Sequence, residues 1–327
     1  IILLILAVLL SCKTTQPSHE LKLSEYLIPP GTVKIADNSY IDETEISNFS
    51  YLEFIWWTSR VYGKTEMQSI LPDTLCWMRL PEVKCPICRV DYYLRHPAYR
   101  DHPLVGVSYE QALKFSKWRS DRVMEFILIS RGLIPHIPNP QNDSIFSIEA
   151  YFTGKYFIKP NPYIQYYPEY SLPDSMTYMK SLKFADSLNQ ITIQHRGNKG
   201  CDSRHSLLKV KEITEIRCLE TIPERNDTLP YGVEPTKIVY CKNCKRSLMT
   251  DLLGNVREMT KVKGVTFGGS YYDSCKVVNT KYFYRIAHEP GTYTDHLHKT
   301  TYFNDENREA NSYTGFRNVC TWKKWSE

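Results

Sequence analysis

The 327-residue sequence predicts a folded body in which helices are mixed with short strands and long irregular stretches, and three observations carry that expectation. The composition is globular, at 42% hydrophobic, 24% charged and 13% aromatic. Those values exclude disorder, coiled coil and collagen and leave enough chain for a sizeable core. Two segments show helical periodicity with capping residues in front and a glycine behind. From Asp251 onward the chain instead holds short motifs in which glycine stands beside an aromatic or a charge, the pattern of tight loops and short strands. The net charge of +5 is small for a chain of this length and points away from a nucleic-acid partner.

The chain opens with Ile1 to Leu10, an unbroken apolar run closed by Ser11 and Cys12. At about 1.5 Å per residue this run is too short to cross a hydrocarbon core, which needs roughly 20 residues. With no initiator Met and no basic leader, residues 1–11 read as a signal peptide whose beginning is missing. Leu9-Leu10-Ser11-Cys12 looks like a bacterial lipobox, in which cleavage before the cysteine is followed by acylation of its thiol. The expectation is a lipid on Cys12, membrane attachment through it, and an outer-membrane location on the periplasmic or surface face; an ordinary cleaved signal is the alternative. Residues 12–30, polar and ending in Pro29-Pro30, read as a tether, and the domain is expected over 31–327.

Within that domain, Tyr40 to Asn48 reads as a short strand running into a cap, with Ser47 or Asn48 supplying the side-chain oxygen. Phe49, Leu52, Ile55, Trp56 and Tyr62 then follow near-helical spacing until Gly63. Ser108-Tyr109-Glu110-Gln111 has the form of a capping box, and Ala112, Phe115, Arg119, Arg122, Val123, Phe126 and Ile127 trace a stripe that ends at Gly132. Residues 132–235 hold ten of the nineteen prolines and the tyrosines 151, 156, 163, 166, 167, 170 and 178. This stretch is expected to be a mostly irregular, surface-wrapping region with one helix over 175–189. Irregular surface regions often carry binding specificity, and a structured insertion without function is the alternative.

Taken in order, five segments carry a resemblance: Tyr40 to Asn48, His102 to Ala112, Asp251 to Glu258, Gly268-Gly269-Ser270-Tyr271, and Gly315-Phe316-Arg317. Together they resemble the formylglycine-generating enzyme (sulfatase-modifying factor) superfamily. The resemblance implies an α+β fold related to C-type lectins and low in regular structure. An exported lipoprotein of this type looks most like the gliding-motility and type IX secretion lipoproteins of Bacteroidetes, which keep the fold without the known chemistry. The family's enzymes use two cysteines five residues apart, which bind copper. Here those columns fall on Lys281 and Ile286, neither of which can offer a thiolate, so no copper and no oxidase activity are expected. In the same enzymes the segment matching Asp251 to Glu258 holds calcium. The resemblance maps that ion onto Asp251, Gly254, Val256 and Glu258, with a purely structural turn as the alternative.

Cys85-Pro86-Ile87-Cys88 and Cys241-Lys242-Asn243-Cys244 are two C-x-x-C elements. Four thiolates would complete a tetrahedral structural zinc site, an exported compartment favours disulfides between or within the pairs, and a redox-active pair is the third reading; the sequence leaves these open. His296 and His298, near Asp295 and His288, read as solvated, with a metal pair on one face of a strand as the alternative, and Glu289, Asp305, Glu306 and Glu309 read as surface charge. Residues 237–263 concentrate seven Lys and Arg against two acids, read as a solvated face with an anionic surface as the alternative. The expected function is therefore a membrane-anchored, non-catalytic component of a cell-envelope secretion or gliding machine, with other envelope proteins as partners. The alternatives are a sulfatase-modifying-type oxidoreductase with unassigned residues and a lectin-like module that binds peptide or glycan.

Overall fold

The computed structural model describes residues 17, 19–26, 28–79, 86–194, 249–252, 254–270, 292–295, 300–303 and 310–326; for 186–194, 292–295 and 300–303 it describes the backbone alone. Cys12, Cys85, Cys241, Cys244, Lys281, Ile286, His288, His296 and His298 lie outside the described residues, as do 195–248. The described chain mixes helix and sheet, consistent with α+β. A four-stranded antiparallel sheet runs in the order β1 (Thr32–Ala36), β2 (Ser39–Asp42), β9 (Val319–Lys324), β3 (Tyr166–Ser171). A second, three-stranded sheet orders β5 (Thr266–Phe267), β4 (Arg257–Met259) and β8 (Thr314–Gly315), with β4 and β8 parallel. The strands β6 (Thr292–Asp295) and β7 (Thr300–Phe303) pair by themselves. The helices are α1 (Asn48–Val61), α2 (Lys64–Ser69), α3 (Pro86–Tyr92), α4 (Tyr109–Ser130), α5 (Ile148–Phe152) and α6 (Ser175–Gln194). No helix among the described residues is long and apolar enough to cross a membrane.

Local chemistry explains where these elements start and stop. Asn38, at φ 53°, makes the β1–β2 turn, and its side chain exchanges two 2.8 Å bonds with the backbone of Trp322, which pins the hairpin to β9. The expected capping box opens α4: Ser108 Oγ accepts from Gln111 N at 3.2 Å, and Gln111 Oε1 accepts from Ser108 N at 2.9 Å. The helix closes with Gly132 at φ 67°, where Leu133 N donates to Leu128 O and Gly132 N to Ile129 O, a Schellman end. Asp174 caps α6, accepting from Thr177 N at 2.7 Å. Partial burial opposes ionisation, but this bond holds the Asp174 carboxyl below its ordinary value. A depressed carboxyl adds stability above its unfolded value and loses it as pH falls through the folded one. Asp174→Ala should therefore cost about 1 kcal/mol at pH 7 and less at pH 3, read by urea unfolding at both values.

Two expectations about burial need correction. Helix α1 buries Asn48, Tyr51, Phe54 and Thr58, while Phe49, Trp56 and Tyr62 of the expected stripe are exposed. Its apolar residues are spread round the whole helix, so periodicity could not choose a face. Tertiary bonds choose it: Asn48 Nδ2 donates to the carbonyls of Tyr93 and Tyr99, both at 2.9 Å, which turns the Asn48 side inward. Gly63, expected as a stop, also starts α2, at φ 88°. Along α4, Ala112, Phe115 and Ile127 are buried as expected, but Phe126 is exposed, and Ser116, Ser120, Met124 and Leu128 complete the inner face.

The described part of the proline- and tyrosine-rich region lies largely at the surface, yet it also supplies part of the core. Tyr151, Tyr156, Tyr170 and Tyr178 are all buried, and α5 and β3 arise there beside the expected α6. Phe146, Ile148 and the first three of these tyrosines pack against Met124, Ile127 and Leu128 of α4 and Trp322 of β9. The expected tether also contributes: Leu21 and Tyr26 are buried in the same cluster, and Leu21 N donates to Tyr163 O at 3.3 Å. Burying each such large side chain stabilises the fold by about 1.5–3 kcal/mol, which explains why an otherwise polar segment stays on the body.

Candidate functional site

The five segments that carry the resemblance are far apart in sequence, yet their described residues meet at one place. Ile46 N donates to Phe316 O and Leu104 N to Ile46 O, at 2.9 and 2.8 Å, so the first, second and fifth segments form one hydrogen-bonded column. Thr250 N donates to Glu43 O, and Gly254 N donates to Gly268 O, both at 2.8 Å, which bring in the third and fourth. Gly315 lies so close to Leu104 that a Cβ there would stand 2.4 Å from the Leu104 carbonyl oxygen. The small residue is a packing requirement between two segments.

The turn from Asp251 to Glu258 is wound through the left-handed region at Asp251 (φ 57°), Gly254 (φ 81°) and Asn255 (φ 57°), residue types that tolerate it. Glu45 holds the turn from within: its carboxylate accepts from Asn255 Nδ2 at 2.6 Å and from Val256 N at 3.1 Å. Tyr178 donates its hydroxyl proton to Leu252 O and stacks on Phe267 at 4.7 Å. Glu258 and Arg317, both with side chains 0% exposed, form the central pair, with Arg317 Nε and Nη2 at 2.7 and 2.6 Å from Glu258 Oε1. The remaining guanidinium donors go to the carbonyls of Asp42 (3.1 Å) and Thr250 (2.8 Å). Loss of hydration pushes the Glu258 carboxyl up to about 7; Arg317 opposes this, and Asp251 and Asp42 add to it.

All four residues expected to bind calcium lie on this turn, and Asp251, Val256 and Glu258 are buried. Glu258 Oε2 is buried and has no hydrogen-bond partner among the described residues. Like charge from Asp251 and a carboxyl oxygen without a partner among the described residues are the features that a hard cation would answer, and Gly254 and Val256 on the same turn would have to supply carbonyl oxygens. Among the described residues no group of three or more His, Cys, Asp or Glu side chains is arranged to hold a metal, so a cation here would depend on those carbonyls.

Sequence reasoning missed Glu45 and Arg317 as the residues that organise the turn. The available signal was a charge set among apolar neighbours, as in Glu45-Ile46 and Phe316-Arg317, because such a charge tends to be buried and paired. Arg257, counted with the basic stretch, is 1% exposed and lies over the Tyr313 ring at 5.0 Å, so it is no part of a basic surface. Of the C-x-x-C cysteines only Cys88 is described, and it is disulfide-bonded. Cys76 and Cys320 are free and buried; burial pushes the Cys76 thiol up to about 12 and raises Cys320 as well, so neither is an available thiolate.

No family model and no curated protein matches the chain. A crystal structure of CarF is similar over 86% of each chain, at 15% identity and a TM-score of 0.37, a level of likeness that carries no argument about this chain.

Proposed function

We propose that this protein is a membrane-anchored, non-catalytic interaction component of the cell envelope, built on a sulfatase-modifying-factor fold of the C-type-lectin-related kind. The observation that carries the reading is the buried Glu258–Arg317 pair. It joins the Asp251–Glu258 turn to the Gly-Phe-Arg segment and to β2, so the motifs serve as the framework of the core. The free thiols Cys76 and Cys320 are sealed in that core with raised proton affinity, which favours a structural role for them. Calcium at the turn belongs to the same proposal, held by Asp251, Glu258 and the carbonyls of Gly254 and Val256. Bridged cysteines, of which Cys88 is one, suit an exported chain.

The anchor is tested by fractionating cells that express the chain or its Cys12→Ala variant. The unaltered chain should sediment with membranes and carry a lipid on Cys12, and the variant should not. A chain that is unlipidated and equally distributed in both cases would sink the anchor. Metal analysis of the same preparation should find about one calcium per chain, and none in Glu258→Gln.

A further inference from the structure

Among the described residues, helix α1 leaves one face without a packing partner. Phe49, Glu53, Trp56 and Arg60 follow at spacings of four, three and four, and therefore stand in one line along the helix. Phe49 is 43% and Trp56 58% exposed, and Glu53 and Arg60 are exposed beside them. The Arg60 guanidinium lies 4.5 Å over the Trp56 ring and that of Arg100 lies 4.5 Å over Phe49, so both rings are held in place at the surface. Tryptophan, phenylalanine and arginine without lysine is the composition of an interface centre, and residues 48–62 contain no lysine.

The charges on this line say what covers it. Among the described residues neither Glu53 nor Arg60 forms an ion pair; the polar contact of Arg60 is Asn139. Seven residues apart, the two stand about 10 Å from each other along the axis, too far to neutralise one another. An acidic partner would satisfy Arg60 and repel Glu53, and a basic one would do the reverse. A surface carrying the same line in the opposite direction meets both with the opposite sign.

We propose that this face is the interface of a two-fold dimer of the chain. The α1 helices run antiparallel, Trp56 lies against the partner's Trp56 at the axis, and Glu53 lies opposite the partner's Arg60, with the reciprocal pair generated by the symmetry. Such an interface is isologous and closes on itself, so it makes a dimer and not a fibre. One helix face with its rim is at the small end of stable interfaces, so association depends on concentration.

The test is sedimentation equilibrium of the full chain in density-matched detergent. Glu53→Arg and Arg60→Glu should each raise the dimer dissociation constant about tenfold, because each breaks two symmetry-related pairs and creates two repulsions. The double variant should return to within about twofold of the original, since the pairs are re-formed with signs exchanged. Trp56→Ala removes an exposed side chain, leaves the core intact and should weaken the dimer about thirtyfold. Circular dichroism melting of each variant verifies that it is folded. A chain that stays monomeric at all concentrations overturns the proposal. So does an oligomer that ignores the charge exchange, which would assign association to the apolar leader or another face and leave α1 to a different protein or a membrane.

Discussion

Replacing Arg317 by methionine is expected to lower the free energy of unfolding by about 3–5 kcal/mol, because the change leaves the Glu258 carboxylate buried without its counter-charge. Three consequences converge on this one side chain. It balances Glu258 at 2.6 Å, it donates to the carbonyls of Asp42 and Thr250, and it thereby ties the third and fifth segments to β2. The deficit should depend on pH. A carboxyl whose folded pKa lies above its unfolded value is no burden below the unfolded value and becomes one as pH rises toward the folded value. Glu258 is already pushed up to about 7 with Arg317 in place, and without the guanidinium it moves higher. The variant should therefore be closest to the unaltered chain near pH 5 and furthest from it near pH 8. Urea unfolding followed by the fluorescence of the six tryptophans would show it. A loss below about 1 kcal/mol at pH 8 would mean that Glu258 has another partner and that the pair is not central.

The second large effect is expected at Gly315. An alanine Cβ would stand 2.4 Å from Leu104 O and 3.1 Å from Val256 Cγ2. The first of these atoms is backbone, held where Leu104 N bonds to Ile46 O, and the second belongs to a fully buried side chain. Neither can move aside cheaply in a close-packed interior. Gly315→Ala should cost about 2–4 kcal/mol, an overpacking penalty enlarged by the pairing of β8 with β4. The control is Gly154→Ala. It has the strain of φ 72° but no atom within 4 Å of the added carbon, so only the smaller backbone penalty of about 1 kcal/mol applies. Equal losses at the two positions would refute the packing argument.

Local signals were legible where local chemistry decides. The Ser108–Gln111 box, the Gly132 closure and a cap at Ser47 or Asn48, which the structure resolves to Ser47, depend on atoms within a few residues of each other, and the sequence locates them. The wrong face was read for α1 because its apolar residues are spread round the whole helix and no single stripe reveals the inner side, and the choice fell to Asn48 and two carbonyls 45 and 51 positions away. The proline- and tyrosine-rich region misled for a related reason. Proline marks irregular backbone, but it says nothing about whether that backbone is buried, and Tyr151, Tyr156 and Tyr170 bring enough apolar area to build a core without long elements. The turn at Asp251 to Glu258 was visible as a motif, whereas its supports, Glu45 and Arg317, were visible only as charges.

By itself, then, the sequence determined the globular mixed composition, the caps and glycine ends of α1 and α4, and the glycine-bearing turns from Asp251 onward, all of which follow from short-range sterics and hydrogen bonding. Tertiary structure alone decided which side of α1 is left open, which tyrosines are buried, and that Glu258 faces Arg317. Burial and ion pairing join residues separated by tens to hundreds of positions, and their energies depend on how much water the assembled fold excludes.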